Sequence, residues 1–202
     1  MAFCTFGGLS GGGMSSSKGR YVGRAGEKLQ GALTHFGIDV ANMIVADLGC
    51  NIGGFTDCLL SHGASKVYAV DTGYGMFDYG LRGDERVVLM ERTNALHLRK
   101  LPEDIHGVVV DVGWTRQELI IPSAMRLLVP GGWIVSLLKP HYESGKRDLV
   151  RGVLPQEKAG DVLRRVIADI EMMGIKVDGN CDSPLLGDSG NREYFIKIIK
   201  PE

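Results

Sequence analysis

From Tyr21 onward, short apolar runs alternate with amphipathic stretches. The runs are MIVADLG (43–49), KVYAVD (66–71), RVVLME (86–91), GVVVDVG (107–113) and GGWIVSLLK (131–139). Each is too short for a helix and rich in β-branched residues, so each is read as a buried strand. Apolar residues spaced by three and four predict helices over 24–36, 54–62, 116–128 and 157–174, with a short segment around Ala95–Leu98. In the first helix Leu29, Leu33 and Phe36 share a face, and Arg24 and Lys28 lie one turn apart beside it. In the last, Val162, Leu163, Val166, Ile167 and Ile170 turn inward. Strands that alternate with helices build a parallel sheet covered on both faces. Two further runs, 175–180 and 192–200, are joined by a loop too short for a helical crossover, so the last strand must run antiparallel. The expected fold is therefore α/β, with a mostly parallel seven-stranded sheet and an antiparallel last strand.

Residues 1–18 break this pattern. They are rich in Gly and Ser and predict a flexible tail, with Met14 a second candidate start. Residues 19–202 form the single expected domain, a length in keeping with about 100–200 residues per domain. The composition, 44% apolar and 23% charged, is that of an ordinary globular chain. A net charge of −1 gives no global attraction to nucleic acid or anionic membrane, so any basic surface must be local. Cys4, Cys50, Cys58 and Cys181 contain no C-x-x-C pair and the histidines are scattered, which points to neither a disulfide framework nor a metal site. No apolar run reaches the roughly 18 residues that span a bilayer. The expectation is a reduced, cytoplasmic protein without a membrane partner.

The chemistry concentrates at VADLGCNIGGFTDCLL (45–60), a strand that turns through glycines into a helix. Ligands of open α/β sheets sit at such a turn, beyond the carboxyl end of the first strand. Gly49, Gly53 and Gly54 permit close approach there, but no Lys-Ser or Lys-Thr follows, which excludes a P-loop. Asp71 ends the second strand 22 residues after Gly49, where a carboxylate binds ribose hydroxyls. Asp47 at the end of the first strand would repel a pyrophosphate and tolerate a cation. A positively charged nucleoside without phosphate, S-adenosylmethionine, fits both. The fold expectation sharpens to a Rossmann-like class I methyltransferase.

The fourth run ends Asp111-Val112-Gly113-Trp114, without the Pro-Pro-aromatic element of base amino methylation. Cys50 and Cys58 lie beside the cofactor turn and read as packing residues rather than the nucleophile of base C5 methylation. No carboxylate cluster for Mg²⁺ surrounds Asp111. General-base-assisted O-methylation remains, with Lys139 at the end of the fifth strand.

YVGRAGEKL, DLGCNIGGFTDCLL, VYAVDTGYG, ERTNA, LVPGGWIVSLLKPHYESG and GNREYF, spread from Tyr21 to Lys200, closely resemble the catalytic domain of TlyA-type proteins. These belong to the FtsJ-like 2′-O-ribose RNA methyltransferases, and some have carried the label haemolysin. The resemblance implies a Lys-Asp-Lys-Glu tetrad at Lys28, Asp111, Lys139 and Glu193. It also implies that Gly49, Gly53, Gly54 and Phe55 line the cofactor site, that Asp71 holds its ribose, and that Thr93 or Asn94 lies by adenine. In that tetrad Lys139 is the expected base, its pKa lowered by Lys28 as a second cation. Asp111 and Glu193 orient the lysines. TlyA-type proteins carry an N-terminal S4 RNA-binding domain, in whose place the Gly/Ser tail is expected here. Trp114 stands where the family more often has Ser followed by an aromatic, and His141-Tyr142 where Gln-Phe is usual. Trp114 either stacks on a target base or packs against the next helix.

Two basic groups flank the expected site: Lys18, Arg20, Arg24 and Lys28 before the first strand, and Lys146, Arg147 and Arg151 after Lys139. They make a phosphate-contacting rim for RNA, ribosomal RNA or a ribosomal subunit first among them. Two other classes stand beside the enzyme. One is a non-catalytic S-adenosylmethionine- and RNA-binding ribosome-assembly module, which would not need the whole tetrad. The other is a pore former, which would need a membrane-active stretch where these apolar segments instead fit a core.

Overall fold

The computed structural model describes residues 19–187 and 189–202, so the tail over 1–18, with Cys4, Met14 and Lys18, lies outside the described residues. Strands β1 (Ile44–Leu48), β2 (Lys66–Val70), β3 (Val87–Met90), β4 (Ile105–Val110), β5 (Leu128–Leu138), β6 (Val177–Asp182) and β7 (Tyr194–Ile199) form one sheet in the order β3-β2-β1-β4-β5-β7-β6. The first five are mutually parallel, and β7 runs antiparallel to both β5 and β6. This is the expected sheet, including its antiparallel last strand.

Helices α1 (Arg24–Phe36) and α2 (Gly54–Ser61) cover one face. There Leu29, Leu33, Phe55 and Leu59 pack on Val45, Val67, Val109, Val135 and Phe195. The opposite face carries α4 (Gln117–Leu127) and α6 (Gln156–Met172), whose Ile120, Ala124, Leu163 and Val166 meet Ala46, Val108, Val110, Ile134 and Ile196. The alternation of side chains along each strand sends consecutive residues to the two layers, so both faces need apolar residues and the central strands read as continuous apolar runs.

Boundaries differ from the sequence reading where pairing extends a strand. β5 starts at Leu128 rather than Gly131, directly at the end of α4, because Leu128 pairs with Ile105 at the start of β4. Two single-turn helices, α3 (Tyr79–Arg82) and α5 (Pro140–Glu143), occupy segments whose pattern is irregular or polar. Asp78 caps α3 by accepting from the Gly80 and Leu81 amides, and Pro140 opens α5 at the first helical position.

The strand order reverses at β1, whose neighbours are β2 and β4. Beyond the carboxyl ends of β1 and β4 the crossovers depart to opposite sides and leave a crevice. The strands themselves pack tightly. At Gly107 of β4 an added Cβ would lie 2.2 Å from Cζ2 of Trp133. Gly107→Ala is therefore expected to overpack the sheet and destabilise it by about 1–3 kcal/mol, measured by urea denaturation followed through tryptophan fluorescence.

Candidate active site

The residues at the crevice come from the carboxyl ends of β1 to β5, the start of β7, and helices α1 and α2. Gly49 leaves β1 at φ 91°, and a Cβ there would sit 2.4 Å from the Asp111 carbonyl oxygen. Only glycine serves, since the Asp111 amide also donates to the Leu48 carbonyl at 2.9 Å. Gly53, at φ 100°, faces Phe77 and Leu81 and acts as the turn that starts α2. Gly54 and Phe55 then line the crevice.

Two lobes meet there. One, of about 410 Å³, is lined by Gly49, Asn51, Asp71, Glu91, Thr93 and Asn94 among others. The other, of about 520 Å³, is lined by Arg24, Lys28, Phe55, Tyr142, Asn191 and Glu193 among others. Gly49, Cys50, Asn51, Asp111 and Lys139 wall both, so the pair is one cleft with a waist.

In the first lobe the Asp71 carboxylate is already oriented by backbone donors, with Asn51 N–H at 2.9 Å on Oδ2 and Gly73 N–H at 2.7 Å on Oδ1. Each oxygen keeps a lone pair directed elsewhere. Glu91, at the end of β3, joins Asp71 on this wall. Arg82 grips it with both guanidinium nitrogens at 2.5 and 3.1 Å, and the Gly75 amide donates at 2.6 Å. That clasp draws its pKa down, the Arg82 hydrogen bond being the main cause. The sequence reading passed over Glu91, although its place, an acid directly after an apolar strand, is the signal that singled out Asp71 and Asp111.

Asp47 lines neither lobe. It is 0% exposed on the α2 side of β1, and its Oδ2 accepts from the Thr56 hydroxyl at 2.7 Å. Burial pushes its pKa up to about 7, with the Thr56 hydrogen bond opposing and the charges of Asp111 and Asp71 adding to the rise. It supports the turn from behind. Burial likewise raises the Cys50 and Cys58 thiols, the latter to about 12, which leaves both poor nucleophiles.

The second lobe holds two ion pairs. Lys28, on the buried side of α1, donates from Nζ to Glu193 Oε2 at 2.6 Å, with side-chain exposures of only 11% and 4%. Lys139 Nζ lies 2.5 Å from Asp111 Oδ1 at the waist. This pairing overturns the expectation that Lys28 lowers the Lys139 pKa. Burial is the largest single influence on Lys139 and pushes downward, but the charge and contact of Asp111, with Glu193 behind, outweigh it and the net shift is upward. Each lysine has its own carboxylate.

Around Lys139 the sequence departs from the expected pattern in a visible way. Tyr142 packs at a tilt against Trp114, with centroids 4.6 Å apart, and against His141 at 4.2 Å, and Lys139 Nζ lies 5.7 Å from the Tyr142 ring centre. Trp114 is 86% exposed with φ 59°, so it does not pack beneath α4. His141 lines the second lobe, and burial followed by the Lys139 charge lowers its pKa, which disfavours the protonated imidazole. A buried chain of polar groups braces this corner. Ser136 donates to Gln117 Oε1 at 2.7 Å, Gln117 Nε2 donates to the Leu137 carbonyl at 3.2 Å, and Glu143 accepts from the Gln117 amide at 2.8 Å.

Of the five basic residues proposed for RNA, Arg24 lines the second lobe and Arg20 is exposed at the approach to α1. Lys146, Arg147 and Arg151 are exposed and stand outside both lobes. Among the described residues no three His, Cys, Asp or Glu side chains gather as a metal site, and no helix is long and apolar enough to cross a membrane.

Residues 21–200, nearly the whole described chain, match the model of the FtsJ-like methyltransferases. The chain belongs to that family. Its relatives include a Bacillus subtilis protein provisionally named rRNA methyltransferase YqxC, 40% identical over 90% of this chain and 66% of that protein. A second is the 16S/23S rRNA (cytidine-2′-O)-methyltransferase TlyA of Mycobacterium tuberculosis, also 40% identical, over 91% of this chain and 70% of the relative. Among solved structures, a Streptococcus thermophilus protein provisionally named a hemolysin superposes with a TM-score of 0.87 at 36% identity, covering 93% of this chain and 70% of that one. The FtsJ-like chain thus spans about two thirds of the length of the Bacillus relative.

Removing one member of a buried ion pair strands the other charge. Glu193→Gln is expected to destabilise the FtsJ-like domain by about 3–5 kcal/mol. The double variant Lys28→Met/Glu193→Leu should recover most of that loss. Urea denaturation of the three proteins decides it.

Proposed function

We propose that the chain is an S-adenosylmethionine-dependent 2′-O-ribose methyltransferase of RNA, with ribosomal RNA, free or in a subunit, as its substrate in the cytoplasm. The observation that carries this reading is the waist. Lys139 and Asp111 stand where a nucleoside lobe with ribose-binding carboxylates opens into a lobe rimmed by cations and aromatics.

The first lobe fits the cofactor by its donor set. Asp71 and Glu91 supply acceptors for ribose hydroxyls, Thr93 and Asn94 flank the base, and Gly49 leaves the backbone bare where a Cβ would collide. When bound, S-adenosylmethionine supplies an electrophilic methyl group on a positively charged sulfur. The second lobe takes the acceptor nucleotide. Lys139 accepts the 2′-hydroxyl proton as that oxygen attacks, and the Lys28–Glu193 pair fixes a cation beside it. Trp114, packed against Tyr142 at the mouth, offers a face to the target base, and Arg20, Arg24, Lys146, Arg147 and Arg151 hold phosphates. Much of the rate comes from alignment of the acceptor oxygen with the methyl group.

The test is direct. The chain is incubated with methyl-labelled S-adenosylmethionine and ribosomal subunits lacking 2′-O-methylation, and the RNA is then hydrolysed in alkali. A methylated 2′-oxygen cannot attack the adjacent phosphate, so the label should appear in alkali-stable dinucleotides. Label in mononucleotides would place the methyl on a base. Cofactor binding without any transfer would leave the assembly-module reading.

Asp71→Ala should weaken S-adenosylmethionine binding by about 1–3 kcal/mol, through loss of hydrogen bonds to a charged acceptor. Isothermal titration measures it, and unchanged affinity would make Asp71 a backbone brace only.

Lys139→Ala should lower methyl transfer by about 10²–10⁴-fold, the usual cost of a lost general base. The pH dependence carries a sign. Because Asp111 raises the Lys139 pKa, the neutral base is scarce at pH 7 in the free enzyme, and kcat/KM should keep rising across the alkaline range. Asp111→Asn removes the principal raising group, so its slower profile should reach a plateau at lower pH. A limb that stays in place in Asp111→Asn would show that Lys139 is not the titrating base.

A further inference from the structure

Val150, Arg151, Gly152 and Val153 make a tight two-residue hairpin turn. Val150 N–H donates to the Val153 carbonyl at 2.8 Å and Val153 N–H to the Val150 carbonyl at 3.0 Å. Both central residues have positive φ, 51° at Arg151 and 83° at Gly152, the signature of a type I′ turn. Asn or Gly is the low-energy choice at the first central position, yet an exposed arginine occupies it. Its backbone is held in the left-handed region and its guanidinium is carried at the tip of a rigid turn.

The turn is fastened to the active site by one side chain. Asn191, 3% exposed, accepts from the Leu154 amide at Oδ1 (2.9 Å) and donates from Nδ2 to the Gly152 carbonyl at 3.2 Å. Its own carbonyl accepts from the Gly187 amide at 2.9 Å. Asn191 also lines the acceptor lobe and lies two residues before Glu193, the partner of Lys28. One residue therefore links the arginine turn, the backbone at Gly187 and the start of β7.

Resting on the RNA methyl-transfer reading above, we propose that the Val150–Val153 turn is an RNA-phosphate contact held in register with the catalytic lobe by Asn191, a positioning residue. The arginine fork suits a phosphate bidentately. A rigid turn loses little on binding, so the contact places the RNA backbone at a set distance from the Lys28–Glu193 and Lys139–Asp111 pairs rather than merely attracting it.

A double-mutant cycle on intact chains tests the link. Wild type, Arg151→Gln, Asn191→Ser and the double variant are assayed for methyl transfer to ribosomal subunits lacking the modification. Each single variant should raise KM for the subunit about tenfold, the loss of one charge-assisted contact, while lowering kcat less. The double variant should be no worse than the weaker single, because Asn191 acts through the turn. Independent losses that multiply to about a hundredfold would overturn the coupling.

A second arm does not depend on Asn191 variants folding. Arg151→Gly suits the left-handed backbone, so its melting temperature should hold or rise. Its binding to oligouridylate should nevertheless lose about 0.7 from the log–log salt slope, one phosphate contact on a single strand. An unchanged slope would remove the turn from the RNA interface. Wild type that transfers no methyl to ribosomal RNA overturns the enzymatic reading instead, and the oligouridylate slope still reports on the turn.

Discussion

The close approach of Gly49 to the Asp111 carbonyl is the constraint on which the rest of the site depends. β1 and β4 are hydrogen-bonded neighbours up to Leu48 and Val110, and the Asp111 amide still reaches the Leu48 carbonyl. A Cβ at position 49 would enter that contact at 2.4 Å. With glycine there, the backbone turns sharply toward α2, and Gly49 and Asp111 together wall both lobes at the waist. The close packing that makes interiors intolerant of extra methyl groups thus sets where the carboxylate stands. Lys139, at the end of the next strand, meets it because β4 and β5 are adjacent and in parallel register.

Two carboxylate–lysine pairs at this depth are poor investments in stability. Desolvating four charges costs several kcal/mol per ion, and apolar replacements of similar shape would often be neutral or better. Their location explains them chemically. The pairing lets lysines sit charged beside an apolar sheet, so that in the proposed reaction positive potential is in place without reorganisation when an acceptor hydroxyl arrives. The pairing also sets the Lys139 pKa upward, so that, with Lys139 as the proposed base, its deprotonation becomes part of the barrier at neutral pH. The Ser136–Gln117–Glu143 chain, buried beneath this corner, joins β5, α4 and α5 just below Lys139.

Asp47 illustrates how a strand-end acid can brace the glycine turn from behind. From sequence it has the same standing as Asp71, an acid closing an apolar run. The alternation along β1 points it at α2, where Thr56 takes it, while Asp71 emerges at the lip of the lobe one strand over. Side-chain direction, a period-two property, separates their surroundings.

The sequence alone determined the order of strands and helices, the antiparallel last strand and the position of the glycine turn. All follow from local periodicity, loop length and turn chemistry. The grouping of Lys28, Asp111, Lys139 and Glu193 was legible only through resemblance, because these residues lie far apart along the chain and come together when β4, β5 and β7 lie side by side and α1 packs on the sheet. Tertiary structure decided who pairs with whom: Lys28 with Glu193 and Lys139 with Asp111, rather than lysine beside lysine. It also decided that Glu91 joins the lobe that Asp71 lines, that Trp114 stands exposed against Tyr142, and that Asn191 ties a strained arginine turn to the cleft. Those contacts depend on packing between segments distant in sequence, and no local pattern encodes the distance between them.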